Sequence, residues 1–244
     1  MQQFDLSDAR MKIERARTHL AELDKEIMGF SAPHLYKIIP EHDINTGFVD
    51  IRLETMHDTD RSVSTVIGDA IGNLRSALDY LIGAIIEKNG ADRSSVTFPF
   101  ADDKDGFEGQ VRSARLKLND QLIDKFIELQ AYRGGVGNSL WIVNKLRNID
   151  KHRLFMTATQ IAAIEVDFVS GGGTFTQCQF GIEAGSRGVC IRAPSADFRF
   201  TSEPRAIFTI FINEAGITFY TEASPFLHAT ADKIDEILTG FSQP

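Results

Sequence analysis

The sequence predicts an α+β fold. A helical N-terminal part with a β-hairpin insertion is followed by an antiparallel β-rich part and a closing helix. Three observations predict it. Apolar residues recur at helical spacing within residues 6–30, 60–88 and 138–155. Between residues 161 and 221, short runs of β-branched and aromatic residues alternate with glycine-containing turns. Beyond them, Ser224-Pro225 opens one more helical pattern that reaches Phe241, with Ser224 as the expected cap and proline at the first helical position.

The first helix places Ile13, Leu20, Leu23 and Ile27 on its apolar face, with Ser7 as N-cap and Gly29 as stop. Leu35–Ile39 and Phe48–Leu53 read as two strands around a turn at Asn45-Thr46-Gly47. The second helix, 60–88, closes at Asn89-Gly90 and is rich in small residues: Gly68, Gly72, Ser76, Ala77, Gly83 and Ala84. A helical glycine costs up to ~1 kcal/mol relative to alanine, so these positions predict close approach of another backbone. After a loop at Phe98-Pro99-Phe100, charged helices are expected over 104–117 and 120–130, then a glycine-rich linker, 133–137. In the helix 138–155, Ile142, Leu146 and Ile149 form an apolar stripe that Trp141 and Val143 widen. Asn144, Asn148, Lys151 and His152 lie away from its centre. The expected division is a helical domain, 1–156, with the hairpin at about 33–56, and a β-rich domain, 157–244.

Composition excludes several classes. Hydrophobic residues make up 43% and charged residues 25% of 244, as in ordinary globular chains. No apolar run approaches the ~20 residues that cross a bilayer, and Met1-Gln2-Gln3-Phe4-Asp5 lacks the basic and apolar regions of a signal peptide. Cys178 and Cys190 are the only cysteines and are expected to be reduced, which with the other signals predicts a cytoplasmic protein. A net charge of −8 argues against wrapping DNA, since phosphate neutralisation needs clustered cations. One stretch is locally basic: residues 140–154 hold Lys145, Arg147, Lys151 and Arg153 against Asp150. A second group, Arg112, Arg115 and Lys117, reads as a solvated helix face. No phosphate loop, dinucleotide fingerprint or nucleophile elbow is present, and the histidines outside 138–155 are scattered, so neither cofactor nor metal is expected. Gly134 to Gly137 precede a helix and would either seat an anion or serve as a plain loop.

Arg147 and His152, with the polar Asn148 following the arginine, carry the chemistry. A histidine titrating near ~6.5 serves as acid or base close to neutrality. An arginine fork holds phosphate and stabilises developing charge. Asn148 is four residues before His152, which lets the two side chains meet. Arg147 and His152 are about 140° apart on an ideal helix, so a cleft fed by two helices would suit them better. A bland alternative is a solvated charged face, with Arg147 and Asp150 at i,i+3.

This Arg-x4-His arrangement resembles the signature of HEPN proteins. In that family a helical bundle, usually dimeric, brings Arg and His of two subunits to a shared cleft, and catalytic members cleave RNA without a metal. Residues 67–81, Ile-Gly-Asp-Ala-Ile-Gly-Asn-Leu-Arg-Ser-Ala-Leu-Asp-Tyr-Leu, together with 140–153, also resemble a bacterial family. Its members pair a G-D-x-x-x-N-L-R-S-A-L-D helix with an N-I-D-K-H-R segment. That likeness spans about residues 60–153 and implies a helical fold and a bacterial source, but no particular activity.

Asp69, Asn73, Ser76 and Tyr80 share one face of the helix, and Arg75 and Asp79 form an i,i+4 pair on another. Either Asn73 and Arg75 face Arg147 and His152 across a polar cleft, or these polar residues form a buried network that fixes helix register. Both readings give Asp79 a cationic partner. The expected binding residues are thus Asn73, Arg75, Asp79 and Lys151, and the catalytic set, if the protein is a nuclease, is Arg147, Asn148 and His152. The expected partners are a second copy of the chain and either RNA or a protein, with no membrane. The expected function is an interaction or ligand-binding module; the alternative is a metal-independent ribonuclease.

Overall fold

A computed structural model describes residues 4–30, 32, 36–55, 61–90, 92–93, 96–153, 157–181, 189–195, 197–214 and 219–242. Of the runs and turns expected between residues 161 and 221, residues 182–188, 196 and 215–218 lie outside these residues, as do Leu35 of the expected hairpin and Asp60, Leu154 and Phe155 of the expected helices. The fold is α+β, with antiparallel strand pairs and a C-terminal helix. The elements in chain order are α1 (Ser7–Phe30), β1 (Tyr36–Asp43), β2 (Phe48–Thr55), α2 (Arg61–Lys88), α3 (Lys104–Val111), α4 (Asp120–Leu129) and α5 (Asn138–Asp150). They continue with β3 (Thr157–Ser170), β4 (Gly173–Gly181), β5 (Val189–Pro194), β6 (Arg199–Phe200), β7 (Arg205–Glu214), β8 (Phe219–Glu222) and α6 (Ala223–Ser242).

Contacts divide the chain into two compact units, and neither is continuous in sequence. One comprises Met1–Leu23, Arg61–Met156 and Ile212–Pro244; the other comprises Asp24–Asp60 and Thr157–Phe211. This differs from a single boundary at 156/157. The hairpin strand β2 pairs with β5, far along the chain, and α6 packs on α2 and α5. Hydrogen-bonding edges and apolar faces set these partnerships, and sequence order does not.

In the first unit α2 is the central helix. Its Ile67, Ile71, Leu74, Ala77, Leu78, Leu81, Ile82, Ile85 and Ile86 are fully buried, which requires cover on more than one side. Its main helical neighbours are α5 and α6. Phe126 of α4 joins the core through Phe98 and Phe241, with ring centroids 5.8 and 4.9 Å away. α1 is held to α6 at the surface, where Arg10 and Arg17 pair with Asp235 at 2.8 and 3.3 Å.

Helix ends follow side-chain capping. Asp103 accepts from Gly106 N at 2.7 Å to start α3, and Asn119 accepts from Leu122 N at 3.0 Å to start α4. The helix expected over 104–117 therefore stops at Val111, with a separate 3-10 turn at Ala114–Leu116. Two expected caps shift inward. Ser7 is the first residue of α1 and donates its N–H to Asp5 at 3.0 Å, while Ser224 and Pro225 sit inside the first turn of α6.

The second unit contains a sheet of order β1-β2-β5 and the greater part of a sheet of order β4-β3-β7-β8, with β6 pairing β3. Pro40 lies in the edge strand β1, where a missing N–H costs no ladder bond. One core is built from both sheets: Tyr36, Val49, Ile51 and Ala193 with Ile164, Val166, Phe168, Ala206 and Phe208. Phe168 stacks on Phe175 at 4.8 Å and 13°, close to parallel. At the turn between β3 and β4, Gly171 and Gly172 adopt φ of 59° and 76°, and Asp197 accepts both of their N–H groups at 2.6 and 2.9 Å.

Candidate functional site

The sequence-predicted residues converge where α2 packs on α5, within the helical unit. α5 starts after Gly137, buries Leu140, Trp141, Ile142, Val143 and Leu146, and ends at Asp150. It is shorter than the expected 138–155. Lys151 N–H bonds back to Arg147 O at 3.2 Å, and His152 and Arg153 both donate to Ile149 O, at 2.9 and 3.0 Å. His152 takes the i−3 carbonyl, so an angle on an ideal helical wheel does not carry over to it unchanged.

Arg75 is the best-anchored polar residue. Its side chain is 12% exposed. Nε donates to Asn144 Oδ1 on α5 at 2.8 Å. Nη1 sits 2.5 Å from Asp79 Oδ1, an ion-pair contact without the alignment of a hydrogen bond. The guanidinium also stacks over Phe100, 4.6 Å from the ring centre. Asp79 Oδ1 in turn accepts the Phe98 N–H at 2.9 Å. The i,i+4 pair therefore forms, and it ties α2 to α5 and to the 98–100 loop. Asn144, half-buried, was absent from the expected site, although its polar amide in an apolar helix was a signal.

Gly68 and Gly72 explain the small residues of α2 differently from the expected backbone approach. A Cβ on Gly68 would fall 2.6 Å from Asp150 Oδ1, and one on Gly72 would lie 3.6 Å from Arg147 Nε. Side chains of α5 lie on these glycines. Arg147 Nη1 bonds Asp150 Oδ2 at 3.0 Å, with side chains 34% and 16% exposed. Asn73 turns back to its own helix, donating to Asp69 O at 2.8 Å, and Ser76 does the same to Gly72 O at 2.7 Å. The structure thus brings Gly68, Gly72, Arg147 and Asp150 together, and joins Arg75 to Asn144 where Arg147 was expected.

Three of the four cations in residues 140–154 are paired. Lys145 lies 2.8 Å from Asp102, Arg147 holds Asp150, and Arg153 grips the buried Glu214 through two bonds of 3.0 and 2.8 Å. Lys145, with Trp141 Nε1 at 2.9 Å, keeps the Asp102 carboxyl below the usual carboxylate range, and Glu214 raises the Arg153 guanidinium. Asn148, Lys151 and His152 are exposed, with no side-chain hydrogen bond among the described residues.

The 134–137 loop is a packing element and has no free anion cradle. Its N–H groups are taken by Asn138 Oδ1, Tyr132 O, Gln130 Oε1 and Gln130 O. A Cβ on Gly137 would fall 2.2 Å from Leu129 O, so glycine is needed for close backbone contact. Among the described residues no group of His, Cys, Asp and Glu is arranged to hold a metal ion, and no helix is long and apolar enough to cross a membrane. His34 and His57 lie outside the described residues, and Cys178 is a free thiol. Comparison with known proteins finds no matching family model, no matching curated protein and no matching solved structure.

Proposed function

We propose that the helical unit is a ligand-binding module that grips a phosphate of single-stranded RNA at the C-terminal end of α5. The observation that carries this reading is the exposure of Asn148, Lys151 and His152 beside an Arg147 whose guanidinium is one-third exposed over Gly72. Lys151 supplies a charge with no partner among the described residues, and Arg147 a planar fork once it exchanges Asp150 for phosphate. The end of a helix carries partial negative charge, so the two cations must outweigh it. With Lys145 and Arg153 engaged elsewhere, the footprint is one or two phosphates, in keeping with the acidic body. Arg75, Asp79 and Asn144 hold the platform in register.

The resemblance of residues 147–152 to the HEPN signature supports RNA as the ligand and a homodimer as the working form. It also supports a second reading, metal-independent RNA cleavage with His152 as acid or base, which the solvent exposure of His152 favours. One experiment tests both. Short single-stranded RNA is incubated with the protein in chelator, and binding and cleavage are followed for wild type, Arg147→Ala and His152→Ala. The binding reading predicts retention of RNA by wild type and several-fold loss in Arg147→Ala. The cleavage reading predicts products from wild type and none from His152→Ala. Equal binding by wild type and Arg147→Ala overturns the first; equal cleavage by all three overturns the second.

A further inference from the structure

We propose that the face of α2 from Tyr80 to Glu87 is a guanidinium-binding site, occupied at rest by the chain's own Arg93. Tyr80, Gly83, Ala84 and Glu87 fall three, four and seven residues apart, so a ring, a shelf of small residues and a carboxylate follow one another along the helix. Arg93 lies along this row. Its Cγ, Cδ and Nε would be 3.2, 3.3 and 2.8 Å from a Cβ on Gly83, closer than an alanine allows without displacement. Its guanidinium carbon is 4.7 Å above the Tyr80 ring centre. Lys12 approaches the same ring at 5.9 Å, so two of the chain's own cations converge on one aromatic ring.

The resident is loosely held. Arg93 Nη1 is 3.8 Å from Glu87 Oε2, beyond hydrogen-bond reach, and its side chain is 42% exposed. Two cavities of about 420 and 540 Å³ meet at Tyr80 and Arg93, so the arginine is a wall that both share. In the first, Asp5, Asp8 and Glu87 outnumber Lys88 and Arg93. Ser7 N–H holds the Asp5 carboxyl below its ordinary range. A volume of this size, an aromatic platform and an excess of carboxylate suit a cation with an alkyl stem. The guanidinium is planar and weakly hydrated, so it stacks where an ammonium would stay solvated. An incoming guanidinium that hydrogen-bonds to these carboxylates displaces one that makes no such bond.

The test is a calorimetric titration of the full chain, with nuclear magnetic resonance of the Tyr80 ring locating the site in the proteins that retain it. The probes are arginine, N-acetyl-arginine amide as the peptide form, and citrulline as the neutral isostere. Both arginine probes should bind and citrulline should not; binding of arginine alone assigns the site to the free amino acid. Arg93→Ala removes the internal competitor and should tighten arginine binding about two- to five-fold, the worth of a cation–π contact at an exposed ring. Lys88→Gln removes the same charge from the same cavity and should change affinity less. Tyr80→Leu should abolish binding. If that variant fails to fold, Glu87→Gln, at a side chain 69% exposed, should weaken it. Citrulline binding as well as arginine, no binding by Arg93→Ala, or equal gains in Arg93→Ala and Lys88→Gln would overturn the proposal.

Discussion

Gly68 and Gly72 stand one turn apart on the same helix, and the structure predicts opposite consequences for the same substitution. Alanine in place of an interior helical glycine stabilises by about 0.8–1 kcal/mol when the methyl meets open space or ordinary contact. At Gly72 the new Cβ lies 3.6 Å from Arg147 Nε, which is ordinary contact, so Gly72→Ala should gain most of that amount. At Gly68 it lies 2.6 Å from Asp150 Oδ1 and 3.1 Å from Cγ. Asp150 is short, and its carboxylate must retreat by nearly an ångström, which pulls it off Arg147. Overpacking of this kind costs about 1–3 kcal/mol, so Gly68→Ala should be neutral to destabilising by about 2 kcal/mol. In an Asp150→Ala background the obstruction is gone, and the same change should gain about 1 kcal/mol. A double-mutant cycle then gives a coupling of about 1–3 kcal/mol. Urea unfolding followed by the fluorescence of Trp141, the single tryptophan and a core residue of the helical unit, reads out that unit. If Gly68→Ala stabilises as much as Gly72→Ala, the reasoning about Asp150 fails.

Arg75→Ala should cost about 2–4 kcal/mol, because it leaves Asp79 and Asn144 without their partner at a side chain 12% exposed. Arg75→Lys should not restore it, since an ammonium cannot both stack on Phe100 and reach two acceptors; urea midpoints of the three proteins decide this. The folded pKa of Asp102 lies below its ordinary value of 3.8, so its contribution is present above that value and vanishes as pH falls through the folded pKa. Stability curves of wild type and Asp102→Asn should therefore converge only below about pH 4, whereas convergence nearer neutrality would contradict the Lys145 pairing. Gly137→Ala should destabilise by about 2 kcal/mol or more, because its Cβ would fall 2.2 Å from Leu129 O, whereas Gly109→Ala, with nothing within 4 Å, should not; thermal unfolding of both variants checks the pair.

The α+β class, the order of elements and the Arg75–Asp79 pair were legible because each rests on local spacing: 3.6-residue periodicity, β-branched runs and an i,i+4 separation. Features that depend on distant partners were not legible. Nothing in the hairpin strand Phe48–Thr55 announces β5 as its neighbour, since an open edge accepts any compatible strand. The end of α5 at Asp150 was hidden because Lys151, His152 and Arg153 are all compatible with a helix. The His152 N–H takes the i−3 carbonyl of Ile149, which interrupts the run of i−4 bonds there. At the site, the glycines of α2 correctly signalled close approach, but sequence could not say that α5 would bring carboxylate and guanidinium side chains there. The basic stretch looked more positive than it is, because Asp102 and Glu214, remote in sequence, pair with Lys145 and Arg153.

The RNA-binding reading is tested most directly by the salt dependence of binding to a fluorescently labelled single-stranded RNA. Anisotropy titrations over a range of salt give affinity and slope together, and each phosphate contact on a single strand contributes about 0.7 to that slope. The account predicts measurable binding by wild type, and a slope about 0.7 shallower with weaker affinity in Lys151→Ala. Identical affinity and slope for wild type and Lys151→Ala, or no binding by either, would contradict it.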